Sequence, residues 1–201
     1  MKHPSTRKVF DYWTERRGER TAPQRGDIDP ARIRHALGDT FMLAADFVDQ
    51  LRFRLAGTRV CALFCREIKG EAFNSLWSET GRRAIEELTL AVTAENAGIV
   101  AGLRGRTEDG TEIALEMLLL PLAHAGHARI RALGVLAPFE APYWLGVKPV
   151  VELELGTLSH IGSDIDTHLA PHFAPALEEV RVRHGFVVYS GGRAASHGDG
   201  S

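Results

Sequence analysis

The chain is short of several things that would narrow its function quickly. No run of 18 apolar residues occurs, so no membrane-spanning helix is expected. The opening MKHPSTRKVFDYW carries no apolar signal core, so secretion is not expected. Two cysteines, Cys61 and Cys65, cannot build a disulfide framework, and the cytoplasm is the expected compartment. Net charge is only −2, too little for a global pull toward nucleic acid or an acidic membrane. Phosphate loops, nucleophile elbows and zinc signatures are all missing, and the chain is read as a non-enzyme. What remains is 201 residues, 44% hydrophobic and 25% charged, enough for one cored domain with extensions.

The long periodic segments come next. Ser5 can cap a helix to about Arg17, ended by Gly18, with Val9, Phe10 and Trp13 on one face and Tyr12 beside them. Residues 18–30 form a polar link holding Arg16, Arg17, Arg20 and Arg25 in or beside it. Without interleaved aromatics this cluster reads as a solvated connector, and nucleic-acid binding is not expected. Asp27 and Asp29 read as capping residues rather than an acid–base pair, with Pro30 opening a short helix to Leu37. Residues 41–48 and 51–56 read as a hairpin in which Phe53 and Leu55 share a buried face opposite Arg52 and Arg54.

A short helix from Thr58 to Phe64 follows, then a break at Gly70 and a second short run ending at Trp77. Cys61 and Cys65 lack further ligands nearby and read as small hydrophobes in the core. Ser78 caps a long helix to about Asn96, with Ile85, Leu88 and Val92 at helical spacing.

Two strands flank Glu108-Asp109-Gly110, and parity decides the turn. A two-residue loop would oppose Leu103 to Glu116. A three-residue loop with Gly110 left-handed opposes Leu103 to Leu115, Ala101 to Met117 and Arg106 to Glu112, and is the expected register. Glu112 and Glu116 are read as facing water, yet Leu118, Leu120 and Leu122 continue the same face, and Leu133 and Val135 extend it on the next strand, 129–138. Something must cover that outer patch, and the Val9-Phe10-Trp13 helix is the best candidate. It is expected to cover only part, so a homodimer, or a hetero-contact with a signalling protein, is expected at the surface made by Val9, Phe10, Trp13, Leu118, Leu120, Leu133 and Val135.

His124 and His127 read as exposed loop residues rather than metal ligands. Val150–Leu155 alternates like a short strand; 156–172 reads as loop, 178–183 as a short helix, 185–189 as a terminal strand and 191–201 as a disordered tail. The domain plan is therefore 1–37 for N-terminal helices and linker, 38–140 for the main domain, 141–190 for a C-terminal extension, and the tail.

Several ordered blocks carry a resemblance: Tyr12-Trp13 with Arg17-Gly18, Asp27-Ile-Asp-Pro30, RLAGTR-x-C-x-LF from Arg54, RE-x-x-G-x-x-F-x-x-LW ending at Trp77, Glu116 with Leu118–Leu122, Leu133-Gly134 and Trp144-Leu-Gly146. Together they resemble the stand-alone PAS domain proteins of alphaproteobacteria, over about residues 7–151. The resemblance implies an α+β fold: a five-stranded antiparallel sheet with flanking helices, used for sensing or protein–protein regulation. It implies a pocket lined by the long helix and the sheet, for which Leu55, Leu88, Val92, Leu103, Leu115 and Met117 are the candidates, and which could hold a small-molecule ligand. A ligand carrier or small enzyme using the same cavity is the alternative. The family has glycine where Cys65 stands. The helix capped by Ser78 has no histidine for haem, and the light-sensing subgroup's asparagine and glutamine pattern around its flavin is missing. No cofactor and no metal are therefore expected. The purified protein should show neither a Soret nor a flavin band in its absorption spectrum, and either band at stoichiometric level would overturn this.

Overall fold

In a computed structural model the described residues are 1–45, 51–123, 131–161, 181–183 and 186–189. Among these residues eight strands form one antiparallel sheet: β1 (Thr40–Ala44), β2 (Arg52–Ala56), β3 (Gly98–Thr107), β4 (Glu112–Leu122), β5 (Arg131–Pro138), β6 (Val150–Ile161), β7 (Arg181–Arg183) and β8 (Phe186–Tyr189). The five expected strands lie in the order β2-β1-β5-β4-β3, and β6, β8 and β7 continue the sheet past β3. Helix α1 (Pro4–Arg17) covers one face; α2 (Thr58–Phe64), a 3-10 helix at Phe73–Leu76 and α3 (Glu79–Ala94) cover the other.

The inner face is closed by large side chains. Phe41, Phe53, Phe73 and Trp77 meet edge-to-face or stacked at centroid distances of 5.5–5.8 Å. Ile85, Leu88 and Val92 of α3 pack above Leu103, Leu115, Met117 and Leu119. Helix α3 begins as expected, with the Ser78 hydroxyl accepting from the Gly81 N–H at 3.0 Å. Trp144, from the turn after β5, is buried in the same core and plugs its end.

The β3–β4 register is the one parity requires: Leu103 opposes Leu115, Ala101 opposes Met117 and Arg106 opposes Glu112. Gly110 has φ +80°. The turn is closed by Thr107 N–H donating to the Thr111 carbonyl and Gly110 N–H to the Thr107 carbonyl, both at 3.0 Å. Asp109 accepts from the Thr107 and Thr111 hydroxyls and from Lys148, 2.5 Å away; the Lys148 ammonium and these donors hold its carboxyl well below the usual carboxylate range.

Several expectations are corrected. The hairpin β1–β2 forms, but its register slips by one residue between Met42 and Leu43: Leu43 opposes Phe53 and Met42 opposes Leu55, so Arg54 is the inserted residue of a bulge. That bulge turns Phe53 and Leu55 to different faces. Phe53 is buried inside, whereas Leu55 is 50% exposed. Among its described residues the C-terminal extension is more strand than loop. β6 runs to Ile161 along the free edge of β3, so 156–161 is not loop, and Arg181–Arg183 is strand, not helix; the terminal strand is found at Phe186–Tyr189. Cys61 is buried, and burial pushes its thiol pKa up, but Cys65 is exposed beyond the end of α2. Cys65 sits at φ +51°, the left-handed helix-ending position that suits the glycine implied by the resemblance. His124, His127, the Asp49-Gln50 connection and the 191–201 tail lie outside the described residues.

Gly110 carries no packing role, since a Cβ there would meet nothing within 4 Å. Replacing it isolates the backbone cost. Gly110→Val should lower stability by more than about 1 kcal/mol in denaturant melts, because a β-branched residue is forced to positive φ. An unchanged midpoint would mean the loop tolerates another conformation.

Candidate functional site

The sheet's outer face is apolar from β2 to β3. Register places Leu55, Met42, Leu133 and Leu120 in one row across β2, β1, β5 and β4, and Val135, Leu118 and Val100 in the next across β5, β4 and β3. Helix α1 lies over this face through Val9, Tyr12 and Trp13, with Phe10 half-buried at its edge. The Trp13 indole donates to the Pro121 carbonyl at 2.8 Å, which fixes the helix against β4. The link after α1 continues the cover. Tyr12 hydroxyl donates to the Asp27 carbonyl and accepts from the Asp29 N–H at 2.7 Å, tying the link to the helix, and Ile33 and Ala36 close the cluster. Asp29 caps the 3-10 helix Pro30–Ile33, as the Asp-Pro pair predicts.

Two carboxylates clamp the start of α1. Glu116, expected to face water, is 4% exposed; its two oxygens accept from the backbone N–H groups of Lys2 and His3 at 2.7 and 2.8 Å. A carboxylate at a helix N-terminus gains from its unpaired donors and its dipole, which offsets the loss of water. Asp39, also buried, accepts from the Ser5 hydroxyl at 2.6 Å and from both Nε and Nη2 of Arg59 at 2.6 and 2.8 Å. Asp39 holds the Arg59 guanidinium above its ordinary pKa. Ser5 therefore does not cap α1; His3 does, through Nδ1 accepting from the Ser5 N–H at 3.1 Å. This node joins α1, the segment before β1 and the start of α2, three elements far apart in sequence.

The residues expected at a dimer or partner surface, Val9, Phe10, Trp13, Leu118, Leu120, Leu133 and Val135, are brought together, but as one packed cluster inside a single chain. All except Phe10 are buried, Trp13 to 3%. The helix covers more of the patch than expected because the link and the clamp hold it flat. In this arrangement Phe10 is the one of those residues left partly exposed.

Of the expected pocket residues, Leu88, Val92, Leu103, Leu115 and Met117 do converge on the inner face, where they are packed against one another in the core. Leu55 is not among them; the bulge sends it to the outer face. There it lines an open cavity of about 430 Å³ with Met42, Leu133, Ile28, Ile33 and Leu37. The sequence held no signal for this cavity beyond the apolar link residues. The Trp77 indole N–H, buried in the inner core, has no partner among the described residues.

The arginine cluster is mostly engaged within the chain. Arg16 pairs with Glu15 and lies over Tyr12, Arg17 lies over the Trp13 ring at 5.2 Å, and Arg20 pairs with Asp27 at 2.8 Å. Among the described residues no group of three or more His, Cys, Asp or Glu is placed to hold a metal ion, and no helix is long and apolar enough to cross a membrane.

A family model described as PAS domain matches residues 1–137. No curated protein matches. Sixteen chains of solved structures match. One of them, the structure of an RNA-binding light-oxygen-voltage receptor, is similar at a TM-score of 0.40 with 18% identity over 58% of this chain and 35% of that one, well under two thirds of its length.

The clamp makes a prediction about stability. Removing Arg59 leaves the buried Asp39 carboxylate with only Ser5. Arg59→Ala should cost about 1–3 kcal/mol in denaturant melts and raise amide exchange in the first turns of α1. Arg59→Lys should recover part of that, since one ammonium cannot reproduce the two-pronged contact. A loss no larger than an ordinary surface pair would show that Asp39 is solvated.

Proposed function

The chain belongs to the PAS domain family, and on that premise we propose that it is a sensory, regulatory module that works by binding a signalling protein rather than by catalysis. The observation that carries this reading is the cover on the outer sheet face. An apolar face wide enough to form an interface is closed by one helix, and that helix is held by side-chain contacts at its start. Its tie to the next element is the polar link at 18–30. A partner helix that competed with α1 for Leu118, Leu120, Leu133 and Val135 would gain the same apolar burial, at about 25 cal/mol per Å². Whatever biases α1 between seated and released sets the partner's access, by its difference in affinity for the two states. The homodimer belongs to the same reading, as one form the released face can take, since a two-fold contact needs a self-complementary surface.

The inner core supports the same reading. The side chains that converge there are apolar apart from the Cys61 thiol and the Trp77 and Trp144 indole N–H groups, and general acid–base or nucleophilic chemistry needs convergent polar groups.

The test loosens the clamp without touching the apolar face. Glu116→Gln with Asp39→Asn should increase α1 amide exchange. It should also shift sedimentation of the full chain toward dimer at tens of micromolar, and increase severalfold the capture of the same protein partner from cells of the source organism. Intact protein and variant that sediment alike as monomers and capture the same proteins equally would sink the proposal.

A further inference from the structure

The cavity of about 430 Å³ on the outer face is the part of the molecule that the covering helix leaves open. Its floor is the end of an apolar row. Leu133 and Leu120 of that row are buried, while Met42 is half-buried and Leu55 is 50% exposed at the far end. A leucine on a strand is turned outward here by the Arg54 bulge, into a cavity rather than into open solvent.

The walls are built rather than improvised. Gly57 presses on the backbone of Leu37 and Gly38, where any Cβ would collide with the Leu37 carbonyl oxygen. Gly38 in turn leaves room for the Arg59 guanidinium that Asp39 holds. The cavity end is thus set by backbone contact and by the clamp, so its shape exists before a ligand arrives, which lowers the ordering cost of binding.

Among the described residues one charged residue lines this cavity, Arg25. It is exposed, and its guanidinium makes no hydrogen bond or ion pair with another described residue, whereas Arg16, Arg17 and Arg20 nearby are engaged. An apolar cavity lined, among the described residues, by one cation selects a small molecule with one negative end and a hydrocarbon body. A second negative charge would be left against apolar wall, and an amine would face the guanidinium. The volume lies within the usual range for small-molecule sites.

We propose that this cavity binds a small monocarboxylic acid with an aliphatic tail or aromatic ring, its carboxylate paired with Arg25 and its apolar body lying along Met42 and Leu55. The site is on the opposite sheet face from the packed inner core. It goes beyond the regulatory reading and stands whether or not α1 moves.

The test uses decanoate on the full chain, with decan-1-ol as the uncharged control, followed by calorimetry and by amide chemical shifts. Decanoate should bind saturably at one per chain, with shifts centred on Met42, Leu55 and Gly57, and should bind more tightly than the alcohol. Arg25→Gln should weaken decanoate about tenfold while leaving the alcohol unchanged, and Arg25→Lys should restore most of the difference. Leu55→Glu, at a half-exposed position that leaves the fold intact, should abolish decanoate binding by placing a like charge in the cavity. Absence of saturable binding, shifts that map to the inner core instead, or an unchanged decanoate affinity in Arg25→Gln would each overturn the assignment.

Discussion

A sheet that is apolar on both faces cannot stand in water, and most of the described residues outside the strands serve to cover one face or the other. On the inner side the cover is deep: α2, α3, the 3-10 helix before Trp77 and the Trp144 turn bury a continuous core around four aromatic rings. On the outer side it is thin, one helix and an irregular link. Burial supplies the stabilisation on both sides, but non-directional burial alone would let a helix slide over a flat leucine surface. The Trp13 indole on the Pro121 carbonyl and the Glu116 and Asp39 carboxylates give it one position.

Those carboxylates stand buried because each is supplied with donors. Glu116 has the backbone N–H groups of Lys2 and His3 just ahead of α1, and Asp39 has a guanidinium and a hydroxyl. Burying either without its donors would cost more than the contact gains. The stability of the outer cover is therefore tied to the seating of α1, and to Arg59 at the opening of α2. The Arg59–Asp39 pair thereby joins the outer cover to the start of a helix that packs on the inner face. The open cavity lies beside the same junction, bounded by Gly38 and Gly57.

The places where sequence reasoning went astray share a cause. Glu116 sits at a position whose parity points outward, and outward on most sheets means water; here it means the underside of α1. Leu55 sits two residues from Phe53, and a period of two is valid only where no residue is inserted; the bulge at Arg54 breaks it. The apolar outer patch was legible as a patch, yet whether one chain or two would cover it depends on how flat the helix lies. The alternation from Val150 marked a strand, but its length is set by the free edge of β3, which it pairs along to Ile161.

What the sequence by itself determined is what short-range physics controls. Helix ends follow from Ser78, Gly18 and the Asp29-Pro30 pair. The β3–β4 register follows from matching apolar faces across a turn that needs Gly110 at positive φ. The division of Ala132 and Leu136 from Leu133 and Val135 follows from the pleat. Only the tertiary structure decided which polar groups become partners. Ser5 meets Asp39 across 34 positions, and Lys2 meets Glu116 across 114. No periodicity encodes those pairings, because a buried carboxylate is stable only beside donors that the folded chain brings to it.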